Sequence, residues 1–243
     1  MTMKMMTMKI LRYMFLLIIP VCFRGEVFAQ SETGANPFIN DSNGRPLYMK
    51  SNYNTEGSPF LFEDYLPVTL ISLDGKYYSD IMVKVNLVDK EIYYRLPDGK
   101  EMVSTTPVKQ IIFTVAPISY PGLDSIIITS LNSAVNAKGA DIAMVCADGK
   151  LKLLTKINIT YKDTQEYGNT NTTRTFTRKE YFEYIRGNNA AEKLPKSPDA
   201  IVQLMNDRKK DIQTFIISQN LDLRMNTDLV RLFLFYNQST PLK

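Results

Sequence analysis

The sequence predicts an α+β protein in which an antiparallel β-meander, or a sandwich-like sheet, comes first and a C-terminal helical segment packs on it. The first observation is a repeated Asp-Gly-Lys tripeptide, which begins at Asp74, Asp98 and Asp148 and lies between runs of alternating apolar residues. The second is a change of period. No glycine follows Gly187, and apolar residues beyond it recur every three or four positions. Alternation is typical of half-buried strands, whereas the longer spacing is typical of helices.

Residues 1–29 have the features of a cleaved signal peptide. Basic residues precede an uncharged stretch of eleven residues, 13–23, which is the length of a signal-peptide hydrophobic region. A membrane-spanning helix needs about 20 apolar residues, so this stretch is too short to be one. Val27 and Ala29 occupy the positions that a signal peptidase reads, and cleavage is therefore predicted before Gln30.

Lipid attachment at Cys22 is the less favoured alternative, because Val21 stands where lipoprotein signals carry a small residue. With the signal removed, the chain contains no further stretch long and apolar enough for a transmembrane segment. We therefore expect an exported protein that resides in the periplasm or on the outer cell surface.

The charge of the chain after removal of the signal is close to zero. Of 29 basic and 25 acidic residues, four and one lie within residues 1–29, which leaves 25 and 24. Binding to nucleic acid normally requires a clear excess of positive charge, so no nucleic-acid partner is expected. The partners that remain are another envelope protein or a glycan.

The absence of histidine from the chain restricts its chemistry. Ser-His-Asp and Cys-His catalysis, histidine-ligated zinc and a histidine general base are all excluded. Cys146 is the only cysteine outside the signal peptide, and it alternates with Ile142 and Met144, as a buried strand residue would. We therefore predict no catalytic, cofactor-binding or metal-ligating residue and no cofactor. Paired carboxylates or a nucleophilic lysine remain as routes to catalysis.

The β-rich part of the chain follows a polar N-terminal segment. Residues 30–56 are rich in turn-forming residues and are predicted to be extended. Residues 57–187 are predicted to form the β-rich domain. Within it, residues 161–177 are rich in Thr and Asn and poor in apolar residues, which predicts a long exposed loop. Residues 180–186 are predicted to add one more strand.

The Asp-Gly-Lys tripeptides are interpreted as hairpin turns. Glycine accepts the positive φ of a type I′ turn, and Asp-Gly between alternating runs is a strong hairpin signal. The alternative is a catalytic or metal-binding aspartate at each turn. No partner carboxylate accompanies any of the three aspartates in the sequence, which favours turns over chemistry.

Residues 195–243 are predicted to be helical and to belong to the same domain as the strands. Ser197 followed by Pro198 is a helix start signal, with serine as the N-cap. Asn226 is predicted to cap the final helix. The apolar stripe of that helix consists of Leu229, Leu232, Phe233 and Tyr236. This stripe is expected to pack on the sheet. The alternative is contact of the final helix with a membrane surface or a partner.

Several short motifs resemble those of a family of uncharacterised exported proteins that is widespread in Bacteroidetes-type bacteria. The shared pattern is an opening Gly-Ser-Pro-aromatic stretch with an acidic residue soon after, Asp-Gly-Lys turns, a Gly-Lys strand with two leucines, and a Tyr-Asn pair near the C-terminus. In this chain these are residues 57–61, Gly149-Lys150, Leu153-Leu154 and Tyr236-Asn237. Val68 departs from the pattern, which has glycine there. The resemblance implies export and implies no activity, ligand or catalytic residue.

The leading hypothesis for function is an exported, non-catalytic envelope protein that binds or scaffolds another envelope component. One alternative is a carboxylate-dependent hydrolase of an envelope polymer, which requires an Asp/Glu pair within about 5–10 Å in a pocket. The other alternative is a membrane-peripheral protein held by its last helix. Invariant exposed polar residues in a cleft would favour the enzyme, whereas invariance of the turns and the core alone would favour the scaffold.

Overall fold

The computed structural model describes residues 44–46, 53–114, 125–165 and 171–238. The predicted signal peptide and the cleavage site lie outside these residues, as does most of the N-terminal segment predicted to be extended. No helix within the described ranges is long and apolar enough to cross a membrane.

The described residues form one mainly antiparallel sheet with helices packed on it, which confirms the α+β class. The bounds of its strands are β1 Gly44–Pro46, β2 Tyr53–Glu56, β3 Leu66–Ser72, β4 Tyr77–Asn86, β5 Glu91–Arg95, β6 Glu101–Ser104, β7 Val108–Phe113, β8 Ile126–Ser130, β9 Ile142–Ala147, β10 Leu151–Gln165, β11 Thr172–Arg186 and β12 Glu192–Lys193. Their order in the sheet is β1-β6-β5-β4-β3-β7-β8-β9-β10-β11-β12. β2 pairs with β11 and is parallel to it.

The sheet consists of two meanders that meet where β3 pairs with β7. Runs of consecutive hairpins extend from β3 to β6 on one side and from β7 to β12 on the other. The sheet is bent, because Leu87, which follows β4, lines the same small internal cavity as Ile142 and Met144 of β9. Leu61 reaches this cavity from the segment before β3. Apolar side chains of β3–β10 and of the helices therefore share one core.

All three Asp-Gly-Lys stretches are hairpin turns, between β3 and β4, β5 and β6, and β9 and β10. The predicted type I′ turn is wrong, because it requires positive φ at both central residues and none of the three aspartates has it. The first two turns are alike. In each of them only the glycine has positive φ, 82° at Gly75 and 86° at Gly99. The N–H of Gly75 donates to the carbonyl of Ser72 at 3.0 Å, and that of Gly99 donates to Leu96 at 2.9 Å. These contacts define three-residue loops, a type I turn followed by a left-handed glycine.

The aspartates of these turns bond locally. Asp74 accepts from the Ser72 hydroxyl and pairs with Lys76 at 2.9 Å. Asp98 accepts from the backbone N–H of Lys100 at 2.9 Å. Asp148 pairs with Lys152 at 3.1 Å. Each carboxylate is therefore used by its own turn or by the strand that follows, as a turn residue would be.

The predicted exposed loop over residues 161–177 is wrong. β10 and β11 remain paired as a ribbon as far as Gln165 and Thr172, and β2 adds a third, parallel strand beside residues 172–175 of β11. Asp163 and Arg174 face each other and form two hydrogen bonds of 2.7 Å. The rings of Tyr161 and Phe176 lie 5.9 Å apart. Cross-strand pairs and β-branched threonines stabilise an exposed ribbon without the apolar content by which strands are usually recognised.

As far as residue 238, the C-terminal segment forms three α-helices and a short 3₁₀ helix. Their bounds are α1 Pro198–Gln203, 3₁₀ Asn206–Arg208, α2 Lys209–Ser218 and α3 Asn226–Gln238. The Ser197 cap is confirmed, since its hydroxyl accepts from the N–H of Ala200 at 3.2 Å. The predicted Asn226 cap is wrong by one residue. The carbonyl of Met225 accepts the first helical bond, from Leu229 at 3.0 Å, and Asn226 is already helical.

α3 packs against β9 and β10 through the predicted apolar stripe. Leu229, Leu232, Phe233 and Tyr236 are all buried. One further contact fixes the helix along the strand. The side-chain amide of Asn237 donates to the carbonyl of Leu151 at 3.0 Å and accepts from its N–H at 3.1 Å. We refer to this pair of hydrogen bonds as the helix interlock.

Gly149 makes room for the helix interlock. Its φ is 144°, and a Cβ at this position would lie 2.6 Å from Cγ of Asn237. Lys150 pairs with Asp207 at 2.7 Å, and the Tyr236 hydroxyl donates to the same carboxylate at 3.0 Å. The β9–β10 hairpin therefore contacts both the final helix and the 3₁₀ helix.

We expect Gly149→Ala to destabilise the protein more than Gly75→Ala. Both changes place a side chain at positive φ, which costs roughly 1–2 kcal/mol. No atom lies within 4 Å of the Cβ that would be added at Gly75. At Gly149 the new Cβ displaces the Asn237 amide and leaves both backbone groups of Leu151 unpaired, which adds roughly 1–3 kcal/mol. The free energy of unfolding in urea measures the difference, and equal losses for the two variants would contradict this assignment.

Candidate functional site

A cleft lies where the edge of the sheet meets the helices. It has a volume of about 520 Å³ and is bordered by β11, β12, the linker to α1, α1 itself and the start of α3. We call it the basic cleft, because Lys193, Lys196 and Arg224 line it together with Tyr181, Leu194 and other apolar residues. Its volume lies in the range of about 300–1,000 Å³ that is usual for ligand sites.

The pairing of β12 with β11 positions one wall of the basic cleft. In the strand register Lys193 lies opposite Glu183, and the N–H of Leu194 donates to the carbonyl of Phe182 at 3.0 Å. The Lys193 ammonium consequently lies 5.7 Å from the centre of the Tyr181 ring. Lys196 follows in the linker that leads to the N-cap of α1. Two lysines are thus held at one side of the cleft.

The turn between α2 and α3 positions the other wall. α2 ends in a Schellman motif, with Asn220 at φ 49° and the N–H of Leu221 donating to the carbonyl of Ile216 at 3.0 Å. The carboxylate of Asp222 then accepts from the backbone N–H of Arg224 at 3.0 Å. These local bonds fix the Arg224 backbone at a position where the residue lines the cleft.

The described lining of the basic cleft contains three basic residues and no acidic one. Within the described part of the chain, no carboxylate pairs with Lys193, Lys196 or Arg224, whereas ten other basic side chains form ion pairs. The nearby Glu192 carboxylate accepts from the Tyr184 hydroxyl at 2.7 Å. This hydrogen bond, with partial burial, raises the pKa of Tyr184 and keeps the phenol protonated. The three cations thus form no ion pair, although carboxylates lie close to them in the chain and in the sheet, at Glu183, Glu192 and Asp222.

A second cleft adjoins the first. It has a volume of about 830 Å³, lies between α1, α2 and the turn after α2, and shares Leu223 and Arg224 with the basic cleft. We call it the helical cleft. Val202, Ile216 and Leu221 supply its apolar surface, and its charged lining is mixed, with Lys209 and Arg224 set against Asp199 and Asp222. Ile217 also lines it and is 80% exposed.

Carboxylates converge at a third site, on the outer face of β4–β6. Glu63, Asp64 and Glu101 line a pocket of about 330 Å³, which we call the carboxylate pocket. Glu101 pairs with Arg95 at 3.0 Å. Burial, and then the charge of Glu101, raises the pKa of Tyr65 in the same pocket, so its phenol stays protonated.

Two cations of the carboxylate pocket lie against aromatic rings. The Lys84 ammonium lies 3.9 Å from the centre of the Phe60 ring, and the Arg95 guanidinium lies 4.3 Å from that of Tyr65. Phe60 belongs to the Gly-Ser-Pro-aromatic motif, which therefore forms a wall of this pocket. Glu63, Asp64 and Lys84 form no ion pair among the described residues, so this pocket, unlike the basic cleft, has unpaired charges of both signs.

A lysine with a perturbed pKa lies away from these three sites. Lys156 is buried and forms an ion pair with Asp141. Burial, and then the positive charge of Lys156, lowers the pKa of Lys90, while Asp141 opposes this effect. Lys90 lies in the turn between β4 and β5 and lines none of the three sites.

Comparisons of this chain with protein-family models, with curated proteins and with solved structures found no match. The resemblance to exported proteins of Bacteroidetes-type bacteria stays a prediction. Among the residues that the structure describes, no group of three or more His, Cys, Asp or Glu side chains could hold a metal ion.

Sequence reasoning did not predict the residues of the basic cleft. Its cations come from two stretches, "EKLPKSPD" at 192–199 and "LDLRMN" at 221–226, which are separated by two helices. The available signal was the pair of lysines around Pro195, immediately before a helix start. The two lysines indicate a site only once the fold shows that Arg224 lines the same cleft.

Cys146 lies in the core. Its side chain is buried, and its sulfur lies 3.1 Å from the hydroxyl oxygen of Thr155. Burial raises the pKa of the thiol to about 11, although the contact with Thr155 acts in the opposite direction. The thiolate, which is the reactive form, is therefore scarce at neutral pH.

We predict that the folded protein does not react with Ellman's reagent at pH 8 within minutes, and that one thiol per mature chain reacts in 6 M guanidinium chloride. The physical reasons are burial and the raised pKa of Cys146. Absorbance at 412 nm measures the released thiolate. Rapid reaction of the folded protein would show that Cys146 is accessible, and thereby return it to the candidates for a nucleophile.

Proposed function

We propose that the protein is an exported, non-catalytic envelope protein that binds another envelope component at the basic cleft. The observation that carries this proposal is the group of three cations, Lys193, Lys196 and Arg224, which surround an apolar cleft without a carboxylate partner among the described residues. Export is supported by the signal-like features of residues 1–29.

The composition of the basic cleft supports binding over catalysis. Its described lining contains three basic residues, aliphatic residues, two aromatic residues and one asparagine, with no carboxylate, cysteine or serine, so Lys193 and Lys196 would have to serve as nucleophiles without a carboxylate base in the lining. Hydrogen bonds to charged groups contribute roughly 1.5–3 kcal/mol each, and burial of the apolar surface of the cleft by a ligand would contribute further binding free energy. Together these groups can hold a ligand that combines negative charge with an apolar part.

We further propose that the sheet folds back on itself in a sandwich-like arrangement, which makes the cleft part of a rigid frame. The support is the small cavity in which Leu61 and Leu87 meet Ile128 and Ile142 from the far side of the sheet. A rigid frame favours binding, because little conformational entropy is lost when a ligand settles into a preformed cleft.

The burial of α3 weighs against a membrane-peripheral protein held by its last helix. Leu229, Phe233 and Tyr236 would have to meet lipid, yet all three are buried against the sheet and the other helices. The described part of α3 offers Arg231 as its basic residue, and Arg231 is paired with Asp228 at 3.4 Å. Anionic lipid would find little attraction there.

A second candidate function is a carboxylate-dependent hydrolase of an envelope polymer. The observation that favours it is the convergence of Glu63, Asp64 and Glu101 on one pocket. The ion pair between Glu101 and Arg95 weighs against it, because a paired carboxylate is a weak general acid. A single experiment can separate the two functions.

We predict that the mature protein co-sediments with the envelope fraction of the producing bacterium and that Lys193→Glu/Lys196→Glu lowers the bound fraction at least tenfold. Reversing two of three cations replaces attraction by repulsion at the mouth of the cleft. The matched control is Lys109→Glu/Lys138→Glu, which makes the same charge change at exposed lysines outside all three sites. Raising the salt concentration should also weaken the binding of the unmodified protein.

Equal losses in the two double variants would show that the basic cleft is not the binding site. Release of soluble fragments from the envelope fraction, abolished by Glu101→Gln and unaffected by Lys193→Glu/Lys196→Glu, would establish the hydrolase instead.

A further inference from the structure

We infer that the occupant of the basic cleft is an acidic peptide segment of a partner protein, whose neighbouring apolar side chains continue into the helical cleft. This inference rests on the proposed function and names the class of its partner. It depends on the shape of the two clefts, on their lining and on the order of their charges.

The shape favours an extended ligand. The basic cleft and the helical cleft share Leu223 and Arg224, so the two volumes of about 520 and 830 Å³ meet at this pair of residues. A small anion would occupy a minor part of one cleft and would leave the apolar surface of the other uncovered. A peptide segment advances about 3.3 Å per residue and can pass from one cleft into the next.

The lining favours a peptide over a glycan. Sugars stack on flat, accessible aromatic faces. Of the two aromatic residues in the basic cleft, Tyr181 is exposed, whereas Phe182 is half-buried. The apolar part of the remaining walls is aliphatic, with Leu194, Ile201 and Ile216 among its residues. Aliphatic walls suit the side chains of leucine, isoleucine or methionine.

The polar groups of the helical cleft favour a peptide over an anionic lipid. Asp199 and Asp222 would repel a phosphate headgroup or a fatty-acid carboxylate. Gln203 and Gln213 each offer an amide that can both donate and accept. A peptide backbone presents one N–H and one carbonyl per residue and can use these amides, whereas an acyl chain cannot.

The order of the charges predicts the order of residues in the partner. The basic cleft carries Lys193, Lys196 and Arg224 and no carboxylate in its described lining, while the helical cleft has both signs. Acidic residues of the partner peptide should therefore lie over the basic cleft. Its apolar residues should lie in the helical cleft, several positions away in the peptide sequence. Ile217, at the rim of the helical cleft, is 80% exposed and available to that apolar part.

The experiment is selection from a phage-displayed library of random 12-residue peptides on the folded mature protein, with removal of phage that bind Lys193→Glu/Lys196→Glu. We expect the enriched peptides to contain two or more Asp or Glu residues near a pair of large aliphatic residues. Fluorescence anisotropy of one labelled peptide should then show binding at least tenfold weaker for Lys193→Glu/Lys196→Glu and several-fold weaker for Ile217→Asp. The control Lys109→Glu/Lys138→Glu should bind as the unmodified protein does.

Circular dichroism of each variant verifies that it is folded before binding is compared. The substituted side chains are exposed, so their replacement should leave the melting temperature within a few degrees. An otherwise identical peptide with Gln in place of each acidic residue should lose binding. A peptide that keeps its acidic residues and has Ser in place of its aliphatic residues should lose most of its binding.

Two results would overturn the inference. One is the absence of enriched acidic peptides. The other is binding of vesicles with 30% phosphatidylglycerol that is lost in Lys193→Glu/Lys196→Glu and retained by Ile217→Asp, which would assign the cleft to lipid. If the unmodified protein still binds the envelope fraction through these lysines, the partner class alone is wrong. If it does not, the proposed function fails as well.

Discussion

The side-chain amide of Asn237 pairs with both backbone groups of Leu151, and the position of α3 along the sheet depends on this contact. Leu151 begins β10, the strand that joins the core of the sheet to its exposed ribbon. Asn237 lies near the end of α3, whose buried side chains cover the same region. The contact therefore fixes the helix both on the sheet and along it. Hydrophobic packing alone specifies the position along the strand less well, because the hydrophobic effect is non-directional.

The helix interlock also determines where the basic cleft lies. α3 begins at Asn226, beside Arg224, and ends at the interlock, so a shift of the helix would move the mouth of the cleft. The surrounding groups support this arrangement. Partial burial tends to raise the pKa of Asp207, but hydrogen bonds from Lys150 and Tyr236 outweigh it and lower that pKa, so the carboxylate stays charged at neutral pH. Gly149 supplies the space without which the amide could not approach the strand.

Local chemistry made part of this structure predictable. Asp-Gly requires little beyond its two residues to specify a turn, and Ser197 before a proline specifies a helix start. The ribbon at residues 161–177 was missed, because its stability comes from cross-strand pairs such as Asp163 with Arg174, which are visible only once the register is known. The helix interlock and the basic cleft were missed for the same reason. Gly149-Lys150 and Tyr236-Asn237 belong to motifs that the sequence displays, yet nothing in either motif indicates that they touch.

Because the helix interlock joins α3 to β10, we expect the two elements to form one cooperative unit. Native-state hydrogen exchange tests it most directly, by comparing the amides of Leu232 and Phe233 in the helix with those of Leu151 and Leu153 in the strand. The account predicts that all four exchange with the same free energy of opening and the same dependence on denaturant. Exchange of the helix amides through an opening several kcal/mol lower, with the strand still protected, would contradict it.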